Sequence, residues 1–175
     1  MLPDRVIRCS RAHGAAHVAP ELWRFAGLAA DEDSATPPAG PLAVPLAWWQ
    51  AKHESLAARR DPLGVWLEPH DDPASIAGDL ASFALIAVRF PKFTDGRGYS
   101  IAALLRTRHG YQGELRAIGD VGRDQLFYLK RCGFDSFALP QHRDPEAALA
   151  GLEDFRDRYQ GSVDQPLPLF RRRHG

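Results

Sequence analysis

The chain of 175 residues has little cysteine, and its apolar runs are short. Cys9 and Cys132 are its two cysteines and they form no CxxC pair, which excludes a disulfide framework and a four-cysteine zinc or iron–sulfur site within one chain. The longest apolar run, near residues 83–90, falls far short of the ~20 residues that a transmembrane helix needs. Residues 1–11 carry basic side chains but no apolar core behind them, unlike a secretory signal. We therefore expect a cytoplasmic protein that does not enter a membrane.

The chain also lacks a charge excess and the familiar catalytic motifs. Its 22 basic and 22 acidic residues give a formal net charge of zero, whereas nucleic-acid-binding domains usually carry a strong basic excess. The sequence contains no GxGxxG after a predicted strand, no P-loop, no HExxH and no GxSxG. We therefore expect no nucleic-acid partner and no metal site, and the sequence identifies no cofactor.

What the chain does have is an ordinary globular composition, with 45% hydrophobic and 25% charged residues. That length and composition predict one domain with a sizeable core. We divide the chain into an irregular N-terminal region and linker (1–44), an α/β domain (45–160) and a loose C-terminal tail (161–175). The linker includes "DEDSATPPAGP" (31–41), which is acidic and then rich in Pro and Gly.

A β/α alternation follows a first helix that opens at Pro45. Apolar runs predict strands at 64–69, 83–90, 113–119 and 135–140. Helical spacing with Asp, Pro and Gly signals predicts helices at 71–83, 99–110, 122–133 and 144–160. About four βα units imply a parallel sheet, either half-barrel-like or small and open. In a half-barrel the two open edges need covering, by the N-terminal region or by a partner chain such as a second copy in a homodimer.

Polar loops leave the carboxyl ends of these strands, where parallel α/β folds bind ligands. Residues 89–131 hold nine basic and four acidic residues, an excess of five positive charges. Helix N-termini near Tyr99 and Arg123 add partial positive charge. This rim therefore predicts a site for a small anionic ligand. The candidate ligand-binding residues are Lys92, Thr94, Gly96, Arg97, Gly98, Arg116, Arg123 and Asp124.

Two carboxylates on the rim, Asp95 and Asp120, are candidate catalytic acids or bases, because an apolar pocket can raise a carboxyl pKa. Structural alternatives remain open for them and for other residues. Asp95 and Asp120 can each cap the helix that follows. Arg106, Glu114 and Arg116 can form a structural ion-pair network, and Cys132 fits a buried small side chain.

The stretches "FPKFTDGRGYSIAALLR" and "GELRAIGDVGRDQLFYLKRCGFDSF" resemble the DUF934 family of bacterial proteins. The resemblance runs from about residue 45 to 160 and is strongest over 90–137. It implies a role in assimilatory sulfite reduction and the label of a probable oxidoreductase, because the family's genes commonly lie beside sulfite reductase genes. One departure is Gly122, where the family usually has a larger apolar residue, and this bears on how tightly Asp120 is held.

Two functions from different classes remain. The first is an accessory protein of assimilatory sulfite reduction that binds an anionic ligand, or the sulfite reductase itself, at the rim. The second is an oxidoreductase or other half-barrel enzyme that acts on a small anionic substrate in sulfur assimilation. An oxidoreductase needs an electron carrier, and the chain shows no motif for one.

Overall fold

The protein is described by a computed structural model, which covers residues 3–9, 15–28, 39–155 and 159–172. Eight strands in this part of the chain form one sheet. The strands are β1 (Arg5–Arg8), β2 (His17–Pro20), β3 (Arg24–Phe25), β4 (Leu42–Pro45), β5 (Leu63–Leu67), β6 (Leu85–Phe90), β7 (Glu114–Gly119) and β8 (Ser136–Phe137).

Helices follow most of the parallel strands. The α-helices are α1 (Leu46–Ala51), α2 (His53–Ala57), α3 (Arg97–Thr107), α4 (Leu126–Arg131), α5 (Pro145–Ala148) and α6 (Leu169–Arg172). Single 3₁₀ turns occupy Pro73–Ile76, Leu80–Ser82, Arg123–Gln125 and Leu149–Glu153. The predicted caps Asp72 and Asp144 accept backbone N–H bonds at the starts of the turn at Pro73 and of α5.

The sheet is mixed, not purely parallel as the sequence predicted. Its strand order is β2-β1-β8-β7-β6-β5-β4-β3, with β3 to β8 parallel. The strands β1 and β2 run antiparallel to their neighbours. The count of four βα units is not reproduced either, because β4 and α1 precede the four predicted strands. The mixed α/β class is confirmed, and the curled sheet has the winding of a half-barrel.

The N-terminal region, expected to be irregular, supplies the outer strands. On one side β1 pairs with β8 and carries β2, and on the other side β3 pairs with β4. The N-terminal region therefore covers the edges that β4 and β8 would otherwise leave open. These strands have two to four residues, too few to show a clear alternation. Residues 31–38 of the predicted linker, 156–158 of the predicted last helix and 173–175 of the predicted tail lie outside the described residues.

The strand order determines where the helices lie. Parallel strands that follow one another in chain order, joined by right-handed crossovers, place every crossover on the same face of the sheet. The larger core cluster joins that face to α1, α3 and α4, with Trp49, Ile101, Leu105 and Leu129 buried. We call the opposite face, whose apolar cluster contains no residue of a described helix, the inner face.

Candidate functional site

The inner face has its own apolar cluster, and no member of that cluster belongs to a helix in the described chain. Its members include Trp66 on β5, Leu85 and Ala87 on β6, and Ile118 on β7. Side chains alternate between the two faces along a strand, so Arg89, two residues after Ala87, continues the inner row. The apolar inner row of β6 therefore ends in an arginine at the carboxyl end of the strand.

A cavity of about 460 Å³ opens at this end of the sheet. That volume lies in the range of small-molecule sites, and its place at the carboxyl ends of parallel strands is where α/β folds bind ligands. We call it the Arg89 cavity. It is lined by Pro3, Leu28, Arg89, Ile118, Gly119, Asp120, Ala138, Leu139, Pro140, Gln141 and His142.

Arg89 is held at the mouth of the cavity by Glu68, the residue that follows β5. The Nη1 of Arg89 donates to Oε1 of Glu68 at 2.5 Å, and the two side chains are 39% and 23% exposed. This half-buried pair leaves other guanidinium donors available, since a guanidinium has five N–H groups. Arg89 counted in the predicted basic excess but was not a predicted site residue. The signal that could have identified it is a lone arginine in the inner row of the apolar stretch "LIAVRF".

Asp120, a predicted catalytic candidate, lines the cavity and connects the loops around it. Its Oδ2 accepts the backbone N–H of Phe93 at 3.0 Å, and its Oδ1 lies 3.5 Å from Nη2 of Arg143. A Cβ on Gly122 would lie 2.7 Å from Nη1 of Arg143. The glycine at this position therefore leaves space for Arg143, which approaches Asp120 from the loop after β8.

Asp95, the other catalytic candidate, is bound to its neighbour Arg97. Its Oδ1 accepts Nε of Arg97 at 3.0 Å and its Oδ2 accepts Nη2 at 2.7 Å. Its Oδ1 also accepts the backbone N–H of Arg97, the first residue of α3. These contacts hold the pKa of Asp95 below its usual value. A carboxylate with a lowered pKa is a poor general acid or base near neutral pH.

The structure places two other predicted ligand-binding arginines in ion pairs away from the cavity. Arg116 is fully buried, and it donates to Glu114, to Glu21 and to the hydroxyl of Ser136. Exposed Arg123 donates to Asp154 at 2.7 Å.

The structural network expected of Arg106, Glu114 and Arg116 is divided between two places. Glu114 and Arg116 are paired. Arg106 instead donates to Asp135 at 2.8 Å and to the backbone carbonyls of Tyr111, Gly113 and Gly133.

The remaining predicted ligand-binding residues do not line the cavity. Lys92 and Thr94 are exposed in the loop after β6, and Asp124 is exposed in the turn before α4. A Cβ on Gly98 would meet the ring of Phe90 at 2.5 Å, whereas a Cβ on Gly96 would meet nothing within 4 Å. Gly98 therefore allows α3 to pack closely on β6.

The pKa values of both cysteines and of Tyr99 are raised, which makes these groups less reactive. Burial raises the pKa of Cys9 to about 11 and that of Tyr99 to about 12. Burial also raises the pKa of Cys132. A thiol reacts as its thiolate, so neither cysteine is an activated nucleophile near neutral pH.

The described residues contain no candidate for a metal site or for a membrane span. No group of three or more His, Cys, Asp and Glu side chains there could hold a metal ion. No helix there has the length and apolar character required to cross a membrane.

The site thus combines a half-buried arginine, a carboxylate and a histidine around a small cavity. Among curated proteins, none matches this chain. The model of one family matches residues 64–170, which include β5 from its second residue, all of β6 to β8, and the cavity residues from Arg89 to His142. The match covers well over half of the chain and confirms the resemblance seen in the sequence, so the protein belongs to DUF934, a family described as bacterial proteins of unknown function.

Proposed function

We propose that the protein binds a small anion in the Arg89 cavity and serves as an accessory protein of assimilatory sulfite reduction. The observation that carries the proposal is the position of Arg89, half-buried at the end of an apolar inner face and beside a cavity of about 460 Å³. A guanidinium forms parallel hydrogen bonds with planar or tetrahedral oxyanions, and partial burial strengthens them.

The ion pairs of the other arginines favour the Arg89 cavity over the loop after β6 as the anion-binding site. Arg97 uses its Nε and one terminal nitrogen on Asp95, and Arg116 is enclosed by two carboxylates and a hydroxyl. An anion at either residue would have to displace a well-placed carboxylate. Arg89 shares a single N–H with Glu68 among its described contacts, so it can accept an anion without losing that partner.

The sulfur chemistry comes from the family resemblance and makes sulfite the first anion to test. Sulfite and sulfate present several oxygens to one guanidinium, as phosphate does. Docking of the sulfite reductase onto the same rim is the other form of the accessory role. Exposed Lys92 is available in the loop after β6 for such a contact.

The second candidate function is a half-barrel enzyme that acts on a small anionic substrate. It is favoured by one observation, which is that Asp120 and His142 line the same cavity as Arg89. A carboxylate and an imidazole beside a bound anion are the groups that general acid–base catalysis uses. An oxidoreductase would in addition need an electron carrier, so flavins and nicotinamides belong among the test ligands.

The test is a thermal-shift screen followed by calorimetric titration. The ligands are sulfite, sulfate, phosphate, adenosine phosphosulfates, flavins, nicotinamides and the sulfite reductase subunit. A ligand at 100-fold its dissociation constant adds about 2.7 kcal/mol, which raises the Tm of a chain of this size by about 5–10 °C. We expect Arg89→Met to abolish the shift caused by a small anion. Arg108→Met is the matched control, because Arg108 is exposed at the far end of α3.

The outcomes separate the alternatives. Loss of the shift in Arg97→Met, with Arg89→Met still responding, would place the ligand in the loop after β6 and overturn the cavity assignment. A shift from the reductase subunit alone would favour the docking role. Turnover of a bound ligand that Asp120→Asn abolishes, while affinity is kept, would favour the enzyme.

A further inference from the structure

A second space adjoins the Arg89 cavity. A groove of about 580 Å³ lies between the start of β1 and the loop that follows β8. Its walls are formed by Pro3, Asp4, Arg5, Leu139, Gln141, His142, Arg143, Asp144 and Pro145. Four of these residues, Pro3, Leu139, Gln141 and His142, also line the Arg89 cavity. The two spaces are therefore neighbours that share one wall, which includes the exposed side chains of Gln141 and His142.

The two spaces differ in their chemistry. Apart from Arg89 and Asp120, the walls of the Arg89 cavity are mostly apolar or uncharged, with Leu28, Ile118 and Ala138 among them. The groove instead carries charged side chains on both sides. Arg5 and Asp4 stand on one side, and Arg143 and Asp144 stand on the other.

The arginines of the groove are loosely paired. Arg5 lies 3.5 Å from Asp144 and 3.7 Å from Glu146, and Arg143 lies 3.5 Å from Asp120. These distances exceed the 2.7–2.9 Å of a good charge-assisted hydrogen bond. Exposed ion pairs of this kind contribute little to stability, so a ligand anion can replace the carboxylate at small cost.

The exposed ion pairs elsewhere on the rim are tighter. Arg97 and Arg123 each approach a carboxylate to 2.7 Å. The groove beside the Arg89 cavity is therefore a better candidate for a second anion-binding subsite than Arg97 or Arg123.

We infer that the ligand is an extended organic anion with a charged group at each end. This inference rests on the proposed anion site at Arg89. One anionic group binds Arg89, the body of the ligand crosses the shared wall at exposed Gln141 and His142, and the second anionic group binds Arg143 and Arg5 in the groove. The His142 ring, in the wall common to both spaces, is positioned to donate a hydrogen bond to either half.

The test compares the affinities of singly and doubly charged ligands over a series of chain lengths. Purified full-length protein is titrated calorimetrically with alkane α,ω-diphosphonates of increasing chain length and with alkyl monophosphonates of the same lengths. Two linked anions that reach both subsites bind more tightly than one, with a maximum at the length that matches the span. We expect the best diphosphonate to bind about 10²-fold more tightly than its monophosphonate partner.

Variants assign the two ends. Arg143→Met, or the double variant Arg5→Met/Arg143→Met, should remove the gain of the diphosphonate over the monophosphonate. Arg89→Met should abolish binding of both compounds. Arg108→Met, far from both spaces, should leave the gain unchanged, and the thermal melting of each variant without ligand reports whether it folds.

Each other outcome is decisive. Monophosphonate binding that depends on Arg89, with no gain at any diphosphonate length, would overturn the extended ligand and leave the anion site standing. A gain that survives the double variant would overturn the groove as the second subsite. If no phosphonate binds in a manner that depends on Arg89, both the extended ligand and the anion site fail.

Discussion

The guanidinium of Arg116, in the middle of β7, donates to the carboxylate of Glu21, in the short connection between β2 and β3. Arg116 is fully buried, and the side chain of Glu21 is 8% exposed. Glu114 also binds Arg116 and accepts the hydroxyl of Ser136 at 2.6 Å. The contact fastens the N-terminal region to the inner face of the parallel strands.

Replacing Arg116 by methionine should strongly destabilise the fold. The variant keeps much of the side-chain volume but removes the counter-charge of Glu21 and leaves Glu114 only its 3.5 Å contact with Arg8. Removal of one partner from a buried ion pair costs about 3–5 kcal/mol. The measurement is the free energy of unfolding in urea. Arg123→Met is the control, because an exposed ion pair is worth about 0.2–1 kcal/mol.

A second change distinguishes charge from packing. If the unpaired carboxylates cause the loss, adding Glu21→Gln to Arg116→Met should recover part of it. Equal unfolding free energies for Arg116→Met and Arg123→Met would show that the buried pair adds nothing to stability.

Alanine substitutions at the two glycines at the start of α3 should differ in their effect on stability. At Gly98 a Cβ would meet Cζ of Phe90 at 2.5 Å, so Gly98→Ala should destabilise by about 1–3 kcal/mol through overpacking. At Gly96 nothing lies within 4 Å and the φ of −84° suits alanine, so Gly96→Ala should change stability by less than about 1 kcal/mol. Thermal melting of the two variants is the measurement. A Gly98→Ala variant as stable as Gly96→Ala would mean that α3 shifts away from β6 without cost.

The strands β5 and β6 were predictable because they are nearly continuous apolar runs. The stretch "LIAVRF" of β6 is buried along nearly its whole length, as a parallel strand covered on both faces should be. The strands β2 and β3 were not predictable in the same way. His17–Pro20 is exposed or half-buried at every position, and β3 has two residues, so hydrogen bonding to neighbours rather than composition defines them.

The candidate site was predictable in its location but not in its residues. The carboxyl ends of the strands follow from the β/α alternation, and Asp120 does line the cavity there. Arg97 and Arg123 looked like anion-binding residues because a sequence shows charges without their partners. Asp95 and Asp154 neutralise them in the fold. His142 and Asp120 line one cavity because the loops after β8 and β7 leave neighbouring parallel strands at the same edge, as the alternation predicted.

The Asp95–Arg97 pair should make stability depend on pH in a defined direction. The contacts with Arg97 lower the pKa of Asp95 in the folded state below its ordinary value of 3.8. The folded state therefore binds this proton less readily than the unfolded state does. The contribution of Asp95 is fully present above 3.8 and is lost as the pH falls through the lowered folded-state pKa. We expect Asp95→Asn to melt at a lower temperature than the wild type at neutral pH.

The difference in Tm should shrink as the pH falls below 3.8, because protonated Asp95 and the asparagine that replaces it carry the same charge. The partner variant Arg97→Met removes the cause of the lowered pKa. In that background Asp95→Asn should have a smaller effect at neutral pH, and the effect should vary less with pH. The measurement is a series of thermal melts from neutral to acidic pH for the four proteins of this double-mutant cycle. A wild-type advantage that stays constant across the series would show that the charge of Asp95 does not stabilise the fold.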